Sequence, residues 1–379
     1  MAGTSSADWG AAASVSILGA ARLQLAHKPL EWFPKDYPTR VAAEVANREM
    51  KGLMPLELLI DSGEENGLHA PELLRRIEKI QDFARSTQVN GVVAGQAISL
   101  VDILKETHRA LNENRPEYYA IPRQRELIAQ ELLLFENSGS DDLEELVDSQ
   151  LRKARINLLV NYENGIHYLP FVREVEAGAR EIAGEYGEVE TTGLVKLWLR
   201  TITAMLTSTA KSYSVALLVI APLMILLIGE IRMGLLSLVP NLAPIVIGMG
   251  FMQAFGIPFD MFTLMIGTIA IGVAVDDTIH FMHGFLRYHR RGASVPLAVH
   301  KTLLSTGRAL VITSIALCSG FFVQMFGTMT SVRNVGLITG LMIATALLAD
   351  LTLSPALVTL EVRGEERRRR AKSSASAPS

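Results

Sequence analysis

Two regimes of hydrophobic patterning divide the chain. Over roughly the first 200 residues apolar and polar positions alternate at short range, whereas from about 213 to 360 Leu, Ile, Val, Met, Ala and Gly dominate. Crossing the ~30 Å hydrocarbon core of a bilayer takes ~20 largely apolar helical residues. Five stretches qualify: about 213–230, 235–254, 261–281, 309–326 and 333–359. Only Gly229 to Arg232 join the first two, which must therefore be antiparallel neighbours, and Gly327 to Ser331 join the last two. A longer basic stretch, His283 to Arg308, separates the third from the fourth.

The first regime predicts a strand at 55–60 and a helix at 70–85, the latter from the spacing of Leu73, Leu74, Ile77, Ile80 and Phe83; a second strand follows at 89–94. Later, 155–162 alternates around Ile156, Leu158 and Val160, 166–186 has helical spacing, and 189–192 is short and extended. That order is strand–helix–strand twice over, the split βαβ arrangement of a ferredoxin-like sandwich. Residues 99–150 between the halves predict a mostly helical insertion. Residues 9–26 are moderately apolar but contain Arg22, and predict a weak or partial leading span. The expected fold is an α-helical membrane bundle of five to six transmembrane helices with an extracytoplasmic α+β domain of ferredoxin-like βαβ units. Its segments are a leading piece at 1–28, the outer domain at 29–200, the membrane domain at 201–362 and a basic tail at 363–379.

Composition narrows the function. Of 379 residues 49% are apolar and 20% charged, below the ~25% charge of an average soluble domain, and mean hydropathy is +0.26. A net charge of -3 provides no basic face for nucleic acid. Cys318 is the single cysteine, and no CxxC, HExxH or GxxxxGK[ST] run occurs, so no metal, cofactor or nucleotide is expected. His69, His108 and His167 are scattered with no nucleophile and base at a recognisable spacing, which predicts no enzyme. Lys and Arg concentrate in cytoplasmic loops. Arg287, Arg290, Arg291, Lys301 and Arg308 fall in one loop, and Arg363 and Arg367 to Arg370 follow the last span. Both are therefore expected inside, with residues 29–200 on the outer face, the periplasm of a bacterium, and the chain a multi-pass protein of the inner membrane.

The chemistry is concentrated in the third span, where Asp276, Asp277 and His280 interrupt an apolar helix. A charged Asp there costs ~2.5–3.5 kcal/mol on insertion scales. Desolvation and mutual repulsion both disfavour the doubly charged pair, so it can load and unload a proton. His280, four residues after Asp276 and three after Asp277, is expected on their face, and Gly272 to clear that face for a neighbouring helix. The plainer alternative is a pair near the helix end that snorkels to the interface. On the fourth span Thr306, Thr313 and Ser314 offer hydroxyls to a carboxylate on an adjacent helix, unless they bond their own i−4 carbonyls. Asp350, deep in the fifth span, reads as a carboxylate locking two helices.

The runs GVAVDDTIHF (272–281), GRALVITSIAL (307–317) and LLADLTLSPAL (347–357), with GLLSLVPNLAP (234–244) and LEWFPKDYP (30–38), resemble the C-terminal half of the resistance-nodulation-division superfamily. The nearest likeness is to exporter-like members grouped with the mycobacterial large membrane proteins and the hopanoid and other lipid transporters. The resemblance implies proton antiport that exports hydrophobic or lipid-like compounds, with Gly272, Asp276 and Asp277 as the relay. It also implies a porter domain outside the membrane that receives hydrophobic or amphiphilic cargo from the membrane lipids of the outer leaflet or from the periplasm. Full members hold two such repeats, so a single second repeat implies a homo-oligomer or a separate first-repeat half. Two other readings stay open: a non-transporting sterol-sensing-like sensor or scaffold, and an inactive truncated fragment.

Overall fold

A computed structural model describes residues 2–23, 26–139 and 141–375, with side chains between 9 and 364. Gln24 and Leu25 of the leading segment, the side chains of the tail from 365 onward and its last four residues lie outside the described residues. After α1 (Ala2–Ala20) the chain forms two compact units, one of residues 35–204 and one of 1–34 with 205–379.

The first unit runs α2 (Pro38–Glu49), β1 (Met54–Asp61), α3 (Pro71–Ser86), β2 (Gln88–Val89), β3 (Val92–Ile98), α4 (Leu100–Leu111), α5 (Arg125–Glu136), β4 (Lys153–Val160), α6 (Tyr168–Ala183) and β5 (Glu188–Thr192). The five strands form one antiparallel sheet in the order β2-β3-β4-β1-β5. Two strand–helix–strand crossings thus interleave, because β4 lies between β1 and β3 while α3 connects those two. Period-2 alternation puts Leu56, Leu58 and Ile60 of β1, and Ala154, Ile156, Leu158 and Val160 of β4, into a single core. Leu73, Leu74, Ile77 and Ile80 of α3 and Phe171, Val175 and Ala179 of α6 close that core from above. Tyr168 is buried within it. Its hydroxyl donates to Asn161 O and accepts from Glu163 N, each at 2.9 Å, and burial pushes the phenol up to about 12.

Two expectations are corrected. The strand predicted at 89–94 is two strands, because Asn90 and Gly91 both take positive φ, 51° and 83°, and form the tight turn that Asn-Gly favours. Among its described residues the insertion at 99–150 is helical in α4, α5 and a single 3-10 turn at Pro116–Tyr118; Asp141 to Leu146 form turns.

At one sheet end Arg152 grips Asp61 with Nε–Oδ1 at 2.7 Å and Nη2–Oδ2 at 3.1 Å. These bonds hold the Asp61 carboxyl below the usual carboxylate range. A carboxyl depressed in the fold stabilises it fully above the unfolded value of about 3.9 and loses that contribution as pH falls through the folded value. Hydrogen-exchange protection factors at the β1–β4 ladder, corrected for the intrinsic pH dependence of exchange, are therefore expected to fall below about pH 4, and Asp61→Asn to remove that acid-dependent part while leaving slightly lower protection at neutral pH. An unchanged acid dependence in the variant would assign it to other groups.

The second unit takes the rest of α7 (Gly193–Ile228), then α8 (Ile231–Leu236), α9 (Leu238–Ala254), α10 (Met261–Arg290), α11 (Val295–Thr302), α12 (Arg308–Val323), α13 (Thr330–Leu348) and α14 (Ser354–Ala375). Among the described residues five helical stretches are long and apolar enough to span a bilayer: Gly193–Ile228, Ile231–Ala254, Met261–Arg290, Val295–Phe326 and Thr330–Gly364. They contain four of the five predicted segments and all of the first, 213–230, except its last two residues, where Gly229 at φ 76° ends the helix; most outrun the predictions, because caps rather than charges end helices. The Asp260 carboxylate accepts from the amides of Phe262 and Thr263, starting α10, and the chain leaves it through Gly292 at φ 90°. The basic stretch predicted as a loop is therefore mostly helix. The apolar part of the leading segment, Trp9–Ala20, is shorter than those spans and lies tight on α9. A Cβ on Gly250 would come within 2.7 Å of Ser16 Oγ, and Trp9 Nε1 donates to Thr352 Oγ1 at 2.9 Å.

Candidate functional site

α10 carries the acidic run, and its helical twist splits that run between two faces. Asp277 and Thr278 turn inward, 5% and 0% exposed. Asp276 and His280 turn outward, 73% and 62% exposed, with Nε2 and Oδ1 3.5 Å apart. Spacing of four thus joins His280 to Asp276, as expected, but not to Asp277. Gly272 shares the outward face, and a Cβ there would meet nothing within 4 Å. The expectation that Gly272 clears a path for a neighbouring helix is not met within this chain: the residues packed against α10 lie on its other side.

The inward face meets a second carboxylate. Asp350, 1% exposed, sits in a π turn, Ala349–Leu353, that joins α13 to α14. Such turns widen the helix by one residue and recur at functional sites. Ser354 Oγ donates to Asp350 Oδ1 at 3.0 Å. Thr278 Oγ1 lies 2.8 Å from the same oxygen and 2.7 Å from Asn241 Oδ1 of α9. Asp277 acts on Asp350 through space and is itself flanked by Asp276 and His280. Neither Asp277 nor Asp350 makes an ion pair with Lys or Arg among the described residues. Ser314 of α12, 1% exposed, faces Asp277, yet its Oγ and Asp277 Oδ2 are both buried without a completed hydrogen bond.

Of the three hydroxyls expected to serve the acids, only that of Ser314 faces one of them, Asp277. Thr313 is exposed and donates back to Ala309 O and Leu310 O of its own helix. Thr306 packs against Gly284, where a Cβ would lie 2.9 Å from Oγ1. Asn241, Thr278 and Ser354 were not among the predicted site residues. The signal for them was available: each is a polar residue inside an apolar span, Thr278 and Ser354 in the same quoted runs that carry Asp277 and Asp350, and Asn241 in the quoted run 234–244.

Beside this cluster lies a cavity of about 260 Å³ walled by α7, α9, α10 and α13. Ile220, Met249, Ile266 and Val275 represent its apolar lining, and Asn241 and Tyr213 bring polar atoms to it. Tyr213 hydroxyl is satisfied by Leu264 O. Asn241 Nδ2 is buried and has no hydrogen-bond partner among the described residues.

Residues 226–377, which hold this cluster, match the family described as the sterol-sensing domain of SREBP cleavage-activation. A protein of Methanocaldococcus jannaschii, named as a membrane protein, is 32% identical over 145 residues, 37% of this chain. The match covers 37% of that protein, so the chain spans little more than a third of the relative it resembles. With five helices suited to crossing a bilayer among the described residues, these similarities mark a multi-pass membrane protein, part of which is similar to the sterol-sensing family.

Proposed function

We propose that the chain is a proton-coupled transport unit of the resistance-nodulation-division type that moves hydrophobic or amphiphilic molecules, with Asp277 and Asp350 as proton carriers. The observation that carries this reading is the pair of carboxylates in spanning helices, buried to 5% and 1% exposure, with hydroxyl and amide neighbours but no Lys or Arg ion pair among the described residues. An unpaired buried carboxylate is costly when ionised, so such groups gain and lose protons as their surroundings open and close. Gly272, Asp276 and His280 stand on the outward face of the same helix. A carboxylate and an imidazole on the outward face of a spanning helix support a further packing partner there, a second copy or a separate half.

The strand order β3-β4-β1-β5 with two interleaved crossings supports reading the first unit as a ferredoxin-like porter module. The basic run at 287–308 and the basic tail support a cytoplasmic C-terminus in an inner membrane, with that module on the periplasmic side. No catalytic role is assigned. A sterol-sensing-like sensor is favoured by the family match at 226–377 and by the apolar cavity. Proteoliposomes decide between the two. An imposed pH difference is expected to move a fluorescent amphiphile across the bilayer, with countermovement of protons reported by an internal pH dye, and a protonophore to abolish both. An unmoved amphiphile that still binds would favour the sensor.

A further inference from the structure

Where α10 passes into α11 the second unit gathers positive charge that it does not neutralise. From Thr278 to Ala349 the sequence has no Asp or Glu, yet Arg287, Arg290, Arg291, Lys301 and Arg308 fall within that run, all exposed. None of the five makes an ion pair among the described residues, and Glu361 of α14 faces Arg232 instead, with Nη1 and Oε1 3.9 Å apart. Two of these cations share one tyrosine. Gly284 lets α11 and the π turn after it, Leu303–Gly307, pack tight against α10: Thr302 Cγ2 and Thr306 Oγ1 each lie 2.9 Å from where a Cβ would be. Just beyond that contact Arg287 Nη2 donates to the Tyr288 hydroxyl at 3.3 Å. The Arg287 guanidinium stands 5.0 Å, and the Lys301 ammonium 5.9 Å, from the centre of the Tyr288 ring. A tyrosine face attracts each cation, but it leaves the two repelling one another with no carboxylate between them.

We infer that this corner binds the headgroup of an anionic phospholipid, whose phosphodiester is held by Arg287 and Lys301 across the Tyr288 ring. The occupant follows from what surrounds the cations. From α11 into α12 the exposed positions alternate between apolar and cationic, Leu297, Lys301, Leu304 and Arg308, and then turn wholly apolar with Ile312 and Ile315. Successive members are three or four residues apart and so keep to one side of the helix. Leu304 is 65% exposed and Ile312 63%. A water-soluble phosphate would satisfy the charges and leave that apolar surface wet, whereas a lipid supplies acyl chains for the one and a negative headgroup for the other. Phosphatidylcholine brings the same chains and the same phosphodiester but carries its own cation, so it meets the corner with no net charge. Phosphatidylglycerol keeps its negative charge. Binding here needs neither a transported molecule nor a proton, and it holds whether the chain transports or senses.

The test is native mass spectrometry of the purified full chain in a neutral detergent, titrated with dioleoyl phosphatidylglycerol or dioleoyl phosphatidylcholine. The first phosphatidylglycerol is expected to bind about tenfold tighter than the first phosphatidylcholine, the scale set by one or two cations at a membrane surface. Raising the ammonium acetate from about 50 mM to about 500 mM should shrink that preference by screening. Arg287→Gln combined with Lys301→Gln is expected to reduce it to about threefold or less, while replacing Arg367 to Arg370 of the tail with glutamine leaves it intact. Both substituted positions of the double variant are exposed, and its phosphatidylcholine binding, unchanged from wild type, reports that it is folded. Glycerophosphoglycerol, the same headgroup without chains, should not displace the lipid at about tenfold excess. Equal first affinities in the wild-type protein, a preference insensitive to salt, one that survives in the double variant, or one that vanishes with the tail arginines would each overturn the inference; the first two need no variant. Displacement by glycerophosphoglycerol at that excess would make the corner a site for soluble phosphates and overturn its assignment to lipid.

Discussion

Asp277→Asn and Asp350→Asn are each expected to cut proton-driven transport ~100-fold or more, the scale on which losing an obligatory proton-transfer group is felt, whereas Asp276→Asn should cost less than ~10-fold. Asparagine has the shape of aspartate and keeps a hydrogen-bonding oxygen, so the bonds from Thr278 and Ser354 to position 350 have a partner in the variant and insertion should be normal. What asparagine cannot do is carry a proton on and off. The hierarchy follows from burial: Asp277 and Asp350 are sealed in the bundle, whereas Asp276 is on the outward face with His280 as a cationic partner when that ring is protonated. Initial rates of amphiphile movement in proteoliposomes, normalised to inserted protein, check the ranking. If Asp276→Asn proves as damaging as Asp277→Asn, the two acids work as one unit and a partner molecule must cover the outward face. Full transport in both Asp277→Asn and Asp350→Asn would end the proton-carrier reading.

Hydropathy and period-2 alternation were sufficient to locate the five spans, β1 and β4, since burial of whole faces leaves a periodic trace. They could also show that Asp277 and Asp350 were expensive where they stood. They could not show which acids meet. Adjacent residues on a helix are about 100° apart, so Asp276 and Asp277 look like a pair in sequence while facing different surroundings. The partners that do meet, Asn241, Thr278 and Asp350, lie on three elements, and the bonds that join them span 37 and 72 residues. No local period records such a junction. The π turn at Ala349–Leu353 was hidden for a related reason, since it breaks the helical repeat by one residue inside a long span with no Gly or Pro within the turn to mark it. Asn90-Gly91 is a different case: the turn signal was plain, but the apolar run Val89 to Ala94 overrode it.

In the first unit the largest stability effect is expected at Gly95, where β3 changes register against β4 between Ala94 and Gln96. The backbone there is not in the left-handed region, so glycine is needed for space alone. A Cβ would fall on the carbonyl of Lys51, a backbone atom with little freedom to retreat. Lys51 is held by its neighbours: Gln96 Nε2 donates to Met50 O at 2.7 Å, and Gly52 is itself pressed on Leu159 O, 2.6 Å from where its own Cβ would lie. Gly95→Ala must therefore push the α2–β1 junction off the sheet, breaking that bond and straining the ladder, for about 3 kcal/mol or more. Gly63→Ala makes the opposite control. Gly63 has φ 83° with nothing within 4 Å of a Cβ, so that change costs conformational strain only, ~1–2 kcal/mol. Hydrogen-exchange protection of β1, β3 and β4 in the full chain separates the two: Gly95→Ala should lose protection across all three strands, and Gly63→Ala only near the β1 end. Equal, local losses would mean that the Lys51–Gly52 segment yields more readily than its packing implies.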